Sequence, residues 1–550
     1  MRKRLATLFS LLLVFSLFLS ACGFNKETAS PGEKEGGSKG GDSAAKQELR
    51  VNIKTEPFSL HPGLANDSVS SNVLLQTFEG LTRINKDGKP ENAMAEDVQV
   101  SENGAKYTFK IRQDAKWSNG DPVTAKDFEY AWKWALDPAH ESQYAYQLYY
   151  IKGAQAANEK KGSLDQVGIK VVDDKTLEVT LENPTPFFLE LTAFYTYFPV
   201  NSKIAQANEK WYTNAGENYT SNGPFKMVEW AHNNKIILEK NENYWDKDSV
   251  KLEKIDMAMV NENNTELSMY QNGELDWAGM PTGQLPVEAI PQLQSDKTLK
   301  IQPIAGVYWY KINTEAKPMD NLNLRKALAY AIDRKGITEN ITKDGSIPAM
   351  ANVPPTMFPE NEKGYFKDND VKKAKEYLQK ALDEMGLKDV SELPEIKLSY
   401  NTDDKHAKIA QAVQDMWKKN LGINVKLENT EWAVYIDKLH KGNYQIGRLG
   451  WLGDFNDPIN FLELYREKEG GNNDTNWEDP EYKQLLLDSA KQQDPQKREE
   501  MLKKAEEILI RDMPIIPIYF YTNAWVQVDN LKGVVVSGLG DVQFKWAYFE

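Results

Sequence analysis

Thiol chemistry is almost absent from this chain. Its 550 residues include one cysteine, Cys22. A single thiol excludes an intramolecular disulfide framework, thiolate metal sites and CxxC redox chemistry. Histidine is nearly as scarce: His61, His140, His232, His406 and His440 form no HExxH or other metal-ligand spacing. No phosphate-cradling GxxxxGKS or GxxxxGKT loop occurs, and no GxSxG elbow stands between a strand and a helix. No motif calls for a cofactor. Positive charge is in deficit, with a formal net charge of −14, which argues against nucleic acid as a partner.

What is present begins at the N-terminus. Arg2, Lys3 and Arg4 precede an apolar run from Leu5 to Leu19 that is short for a membrane span. The run ends in Leu19-Ser20-Ala21-Cys22, which resembles a bacterial lipobox. That resemblance implies removal of residues 1–21 and lipid attachment to Cys22. Two acyl chains anchor stably where one is marginal. Residues 22–47 are rich in Gly, Ser, Lys and Glu, lack a hydrophobic period, and read as a flexible tether.

The remaining length is too great for one ordinary core and implies several domains. Leu49 to Ile53 alternates as a first strand, and Tyr107, Phe109 and Ile111 share one strand face. Thr124 with Asp127 matches a capping box before a helix carrying Phe128, Ala131, Trp132 and Ala135. The run from Glu141 to Tyr150 is unusually aromatic. From Lys397 the order is strand, helix, strand, with Gly422 as a helix stop, which predicts a parallel sheet under helices. A helical hairpin is expected from Pro480 to Asp512, then strands at Ile515–Tyr521 and Ala524–Val528.

The chemistry concentrates between Tyr444 and Pro458. A strand starting at Ile446 runs into Gly450, Gly453 and Pro458, where another backbone has room to approach. Arg448, Trp451 and Asp454 fall within this stretch. Together they suit a small zwitterionic, partly apolar ligand: a guanidinium for a carboxylate, an indole face, and a carboxylate for an amine. The plainer alternative is a core tryptophan and a turn-forming aspartate.

Several blocks in order then identify a resemblance. They are Ala93–Asp97, Tyr107–Arg112, Trp117–Gly120, Ser221–Phe225, Asn313–Pro318, Leu324–Ala327, Ile332–Arg334 and, most specifically, Gly450–Pro458. The chain resembles the OppA-type oligopeptide-binding lipoproteins of ABC peptide permeases, within the family 5 solute-binding proteins. The resemblance implies an α/β, periplasmic-binding-protein-like two-lobed fold with an extra domain. Domain I is expected at 48–79, 204–305 and 522–550, domain II at 80–203 and domain III at 306–521, with two hinge strands.

Residue by residue, the resemblance makes Asp454 the partner of a peptide's α-ammonium. Gly450, Trp451 and Leu452, with Asn66, Asp67 and Ser68 opposite, would pair with the peptide main chain. Tyr144, Trp432 and either Asn472 or Asn473 would line side-chain pockets, and Arg448 and His406 would meet carboxylates. The implied protein is a monomeric, non-enzymatic receptor, held by its lipid at the outer face of the cell membrane. It would hand short peptides to the transmembrane subunits of a permease, with signalling peptides of competence or sporulation among them. Two alternatives stay open: a family receptor for dipeptides, nickel chelates or sugars, and a secreted hydrolase using acids such as Asp403 and Asp404 or Asp454 and Asp457.

Overall fold

The computed structural model describes residues 46–86, 88–468 and 472–550. The expected export signal, Cys22 and nearly all of the tether lie outside the described residues. No helix among the described residues is long and apolar enough to cross a membrane.

Alternation at the start of the body does build a strand. Leu49 and Val51 are fully buried in Glu48–Asn52, which runs parallel to Lys254–Ala258. Lys235–Lys240 and Phe225–Ala231 complete that sheet in antiparallel fashion. A second, antiparallel sheet orders Ala95–Val100, Lys106–Ile111, Thr176–Thr180 and Ile169–Asp173. Tyr107, Phe109 and Ile111 are buried on one face, and Lys106 and Lys110 are exposed on the other. The helix Ala125–Leu136 packs beside it and begins at the expected capping box, with the Thr124 backbone N donating to Asp127 Oδ2 at 2.9 Å.

The largest sheet positions the site. Its order is Trp277–Gly279, Ile515–Gln527, Lys300–Ile312, Ile446–Leu452, Ile396–Asn401 and Val425–Thr430. The last two strands are parallel, joined by the helix Asp404–Leu421, which Gly422 ends at φ 74°. The sheet as a whole is mixed, which corrects the expected parallel sheet. Ile515–Gln527 and Ile446–Leu452 both flank Lys300–Ile312 in antiparallel fashion. The βαβ signal fixed one edge only, because antiparallel neighbours arrive from distant segments with no local signature. The two expected final strands are one continuous strand, Ile515–Gln527. The expected domain limits at 305/306 and 521/522 fall inside the two long strands Lys300–Ile312 and Ile515–Gln527. The helical hairpin forms as Pro480–Ser489 and Pro495–Asp512, each with an aspartate cap, Asp479 and Asp494, before its proline.

Candidate functional site

The strand Ile446–Leu452 is paired on one edge and free of strand pairing along most of the other. Its partner Lys300–Ile312 matches it from Ile312↔Ile446 to Gly306↔Leu452. On the other side Ile396–Asn401 reaches only Ile446 and Gly447. Gly453 N donates to Ala305 O at 2.8 Å, so Trp451 and Leu449 also face the paired edge. Arg448, Gly450 and Leu452 therefore turn their peptide groups to the open edge. The Arg448 carbonyl is taken there by Tyr435 Oη at 2.6 Å. Those of Gly450 and Leu452 lie where no strand covers the edge among the described residues.

Asp454 stands just past this edge. Gln147 Nε2 donates to its Oδ2 at 2.7 Å, and Tyr146 Oη does so at 3.4 Å. Tyr144 Oη reaches Oδ1 at 3.4 Å. Asn460 Oδ1 ties the turn together, accepting from Trp451 Nε1 at 2.9 Å and from Asp454 N at 3.2 Å. Burial pushes the Asp454 carboxyl up to about 7 against the hydrogen bonds from Tyr146 and Asn460, and the nearby Glu463 adds to the rise. Among the described residues no lysine, arginine or histidine pairs with Asp454. The site thus holds a carboxylate short of one cation.

Arg448 has the opposite deficit. Its guanidinium lies 4.6 Å above the Tyr308 ring and donates to Asn401 Oδ1 at 3.2 Å and Tyr521 Oη at 3.3 Å. Its Nε is buried without a partner. Burial works against its charge, but the oxygens of Tyr521, Tyr308 and Tyr519 outweigh that and hold its pKa raised. It forms no ion pair among the described residues, so it is not the structural partner of Asp454.

The other expected residues divide. Asn66 donates to Gln143 Oε1 at 2.6 Å, beside Tyr144, and Asp67 caps the helix Ser68–Thr77. Ser68 is exposed at that helix start. Trp432 is 47% exposed, an unusual setting for an indole that is not core. His406 sits in the first turn of its helix, with Nδ1 3.5 Å from Tyr308 Oη. Burial, then Arg448, drives its pKa down to about 3, so it is a neutral imidazole here and not a cation. Asn472 is half-buried and lends its carbonyl to Lys311 Nζ at 2.5 Å. Asn473 is buried, and its amide serves its own loop. Nδ2 donates to Glu467 O and Trp477 O, and Oδ1 accepts from Thr475 N and Oγ1. No group of that side chain is left for a ligand.

Residue-by-residue reading missed Gln147, Tyr146, Tyr150, Glu190 and Glu463. Tyr150 Oη reaches both Glu463 oxygens at 3.0 Å, and Asn456 N donates to Glu190 Oε2 at 2.8 Å. The aromatic run at 141–150 was the available signal; Gln147 had none of its own.

Known proteins resemble this chain over most of its length. The model of bacterial extracellular solute-binding proteins, family 5, middle region, matches residues 89–473. The oligopeptide-binding protein OppA of Bacillus subtilis strain 168 is 66% identical, covering 100% of both chains. The dipeptide-binding protein DppE of the same organism is 40% identical over 98% of this chain and 97% of its own. The solved Listeria monocytogenes OppA bound to peptide superposes with a TM-score of 0.75 at 34% identity, covering 92% of this chain and 99% of that one. The expected α/β, periplasmic-binding-protein-like fold is the fold of that solved relative.

Proposed function

The chain belongs to the bacterial extracellular solute-binding proteins of family 5, a family of substrate receptors, and from that premise we propose that it captures short peptides with free termini for an ABC importer. One observation carries the reading. An open strand edge at Gly450 and Leu452 lies between a carboxylate without a cation, Asp454, and a guanidinium without an anion, Arg448. An extended zwitterion supplies what each lacks. Its ammonium neutralises Asp454, its carboxylate meets Arg448, and its main chain bonds the edge. Main-chain pairing reads no side chains, so nutrient and signalling peptides enter alike. Trp432 and Tyr144 supply aromatic walls for varied side chains.

In this reading, residues 48–79, 204–305 and 522–550 form one lobe with 80–203, and 306–521 form the other. The strands Lys300–Ile312 and Ile515–Gln527 act as hinges. Cys22 carries the lipid that keeps the receptor at the membrane's outer face. Expressing Cys22→Ala should release the protein into the medium; retention on the cell would remove the anchor from the account.

The central test is thermal shift and calorimetry with tri-, tetra- and penta-alanine against their N-acetyl forms. The free-amine series should bind and the acetylated series should not. Equal binding of both would end the role of Asp454. The similarity to a dipeptide-binding relative makes a dipeptide receptor the second reading, and Ala-Ala in the same series decides it.

A further inference from the structure

Asp454 receives its shortest hydrogen bond from Gln147, at 2.7 Å, and Gln147 is itself 1% exposed. A chain of buried groups fixes the main chain that carries this side chain. Trp132 Nε1 donates to Tyr197 O at 2.8 Å, and Tyr197 Oη donates to Gln147 O at 2.6 Å. Trp132 and Tyr197 are fully buried. The donor therefore arrives on a rigid support, as a positioned site requires.

Gln147 and Tyr146 both address Oδ2, while Oδ1 has only the 3.4 Å contact from Tyr144. The less occupied oxygen is the one open to a ligand. Building on the peptide-receptor reading, we infer that Gln147 is a positioning residue for amine recognition: its neutral amide orients the Asp454 carboxylate so that Oδ1 meets the ligand's ammonium, and it leaves the negative charge for that ammonium to neutralise. Neutrality is the point. A lysine at this position would satisfy Asp454 internally and make a ligand amine redundant.

Among the described residues the surroundings supply no competing cation. Tyr144, Tyr146, Tyr195 and Glu463 face Asp454. A cavity of about 30 Å³ beside it is lined also by Glu190, Asp541, Glu79 and Arg83. Arg83, the cation among these, is bound to Glu79 at 2.6 Å. Removing the Gln147 donor should therefore favour the protonated form of Asp454.

Calorimetry of the full chain with tetra-alanine and N-acetyl-tetra-alanine at pH 6.5 and 8.5 tests this in wild type, Gln147→Leu and Gln147→Lys. Gln147→Leu should weaken tetra-alanine about tenfold at pH 6.5 and less than about threefold at pH 8.5, the scale of one charge-assisted hydrogen bond acting through a proton. Gln147→Lys should weaken it at both pH values and bring the free-to-acetylated affinity ratio close to one. A Gln147→Leu loss equal at both pH values means that the residue only packs, and overturns the inference. So does a Gln147→Lys protein that still discriminates. Wild type that fails to distinguish the two peptides overturns the functional reading itself, before either variant enters.

Discussion

The ring of Phe455 lies flat against that of Phe187, with centroids 4.6 Å apart and planes 7° apart. Both rings are buried. The contact joins the turn after Asp454 to the segment that carries Glu190. With Tyr150 on Glu463 and Asn456 N on Glu190, it clasps residues 145–190 onto 454–463. Phe455→Ala removes a large buried ring and should cost about 3 kcal/mol in denaturant unfolding. Because the same turn carries Asp454, tetra-alanine affinity should fall as well. Unchanged affinity would separate the clasp from the site.

The clasp region is rich in reluctant acids, and this gives stability a pH signature. Burial raises Asp454 and Glu463 to about 7, and burial with Asp457 raises Glu190 to about 8. Each holds a proton when folded that it would lose when unfolded, so stability falls as pH rises through these values. His61 and His406 are both lowered to about 3 by burial. They act in the opposite sense, adding stability as pH rises toward their unfolded value of about 6.5. The acids act alone above that point. Peptide-free protein should therefore lose stability between pH 6.5 and 8.5 in urea titrations, and Asp454→Asn should flatten the slope. A flat wild-type profile across that window would contradict the burial argument.

Local pattern in the sequence exposed the strands and helices whose partners are near in chain order. Tyr107, Phe109 and Ile111, the Thr124 cap and Gly422 each encode their own conformation. Sheet order was not legible. The neighbours of Lys300–Ile312 come from residues about 140 and 215 positions away, and long-range antiparallel pairing leaves no periodic trace. At the site, Arg448 and Asp454 stood out because charges beside glycines on a strand end are unusual. Gln147 did not, because its meaning lies in what faces it. The neutral state of His406 was equally hidden, since it depends on burial beside Arg448.

Ligand length should follow from the spacing of the two unpaired charges. Arg448 and Asp454 are six positions apart along a largely extended segment, or about 20 Å at strand rise, and the long Arg448 side chain can take up part of that gap. Peptides of roughly four to six residues would bridge it. C-terminal amidation should therefore weaken tetra- to hexa-alanine about tenfold and leave octa-alanine nearly untouched. Arg448→Met should erase the amidation penalty. An equal penalty at every length would dissociate Arg448 from the peptide's end.

Asn473 and Trp432 should behave in opposite ways, although both begin as expected pocket residues. All the hydrogen-bonding capacity of the Asn473 amide is used within its loop. Asn473→Ala strands buried backbone partners and should cost roughly 1–3 kcal/mol, with tetra-alanine affinity unchanged at temperatures where the protein stays folded. Trp432 is 47% exposed, so its indole supports little of the fold. Trp432→Ala should shift stability by less than about 0.5 kcal/mol while weakening peptides with a bulky apolar side chain relative to tetra-alanine. Wild type, Asn473→Ala and Trp432→Ala measured side by side, by denaturation and by calorimetry with tetra-alanine and tetra-leucine, distinguish a fold residue from a ligand residue. A Trp432→Ala protein that binds both peptides as wild type does would move that indole out of the binding surface.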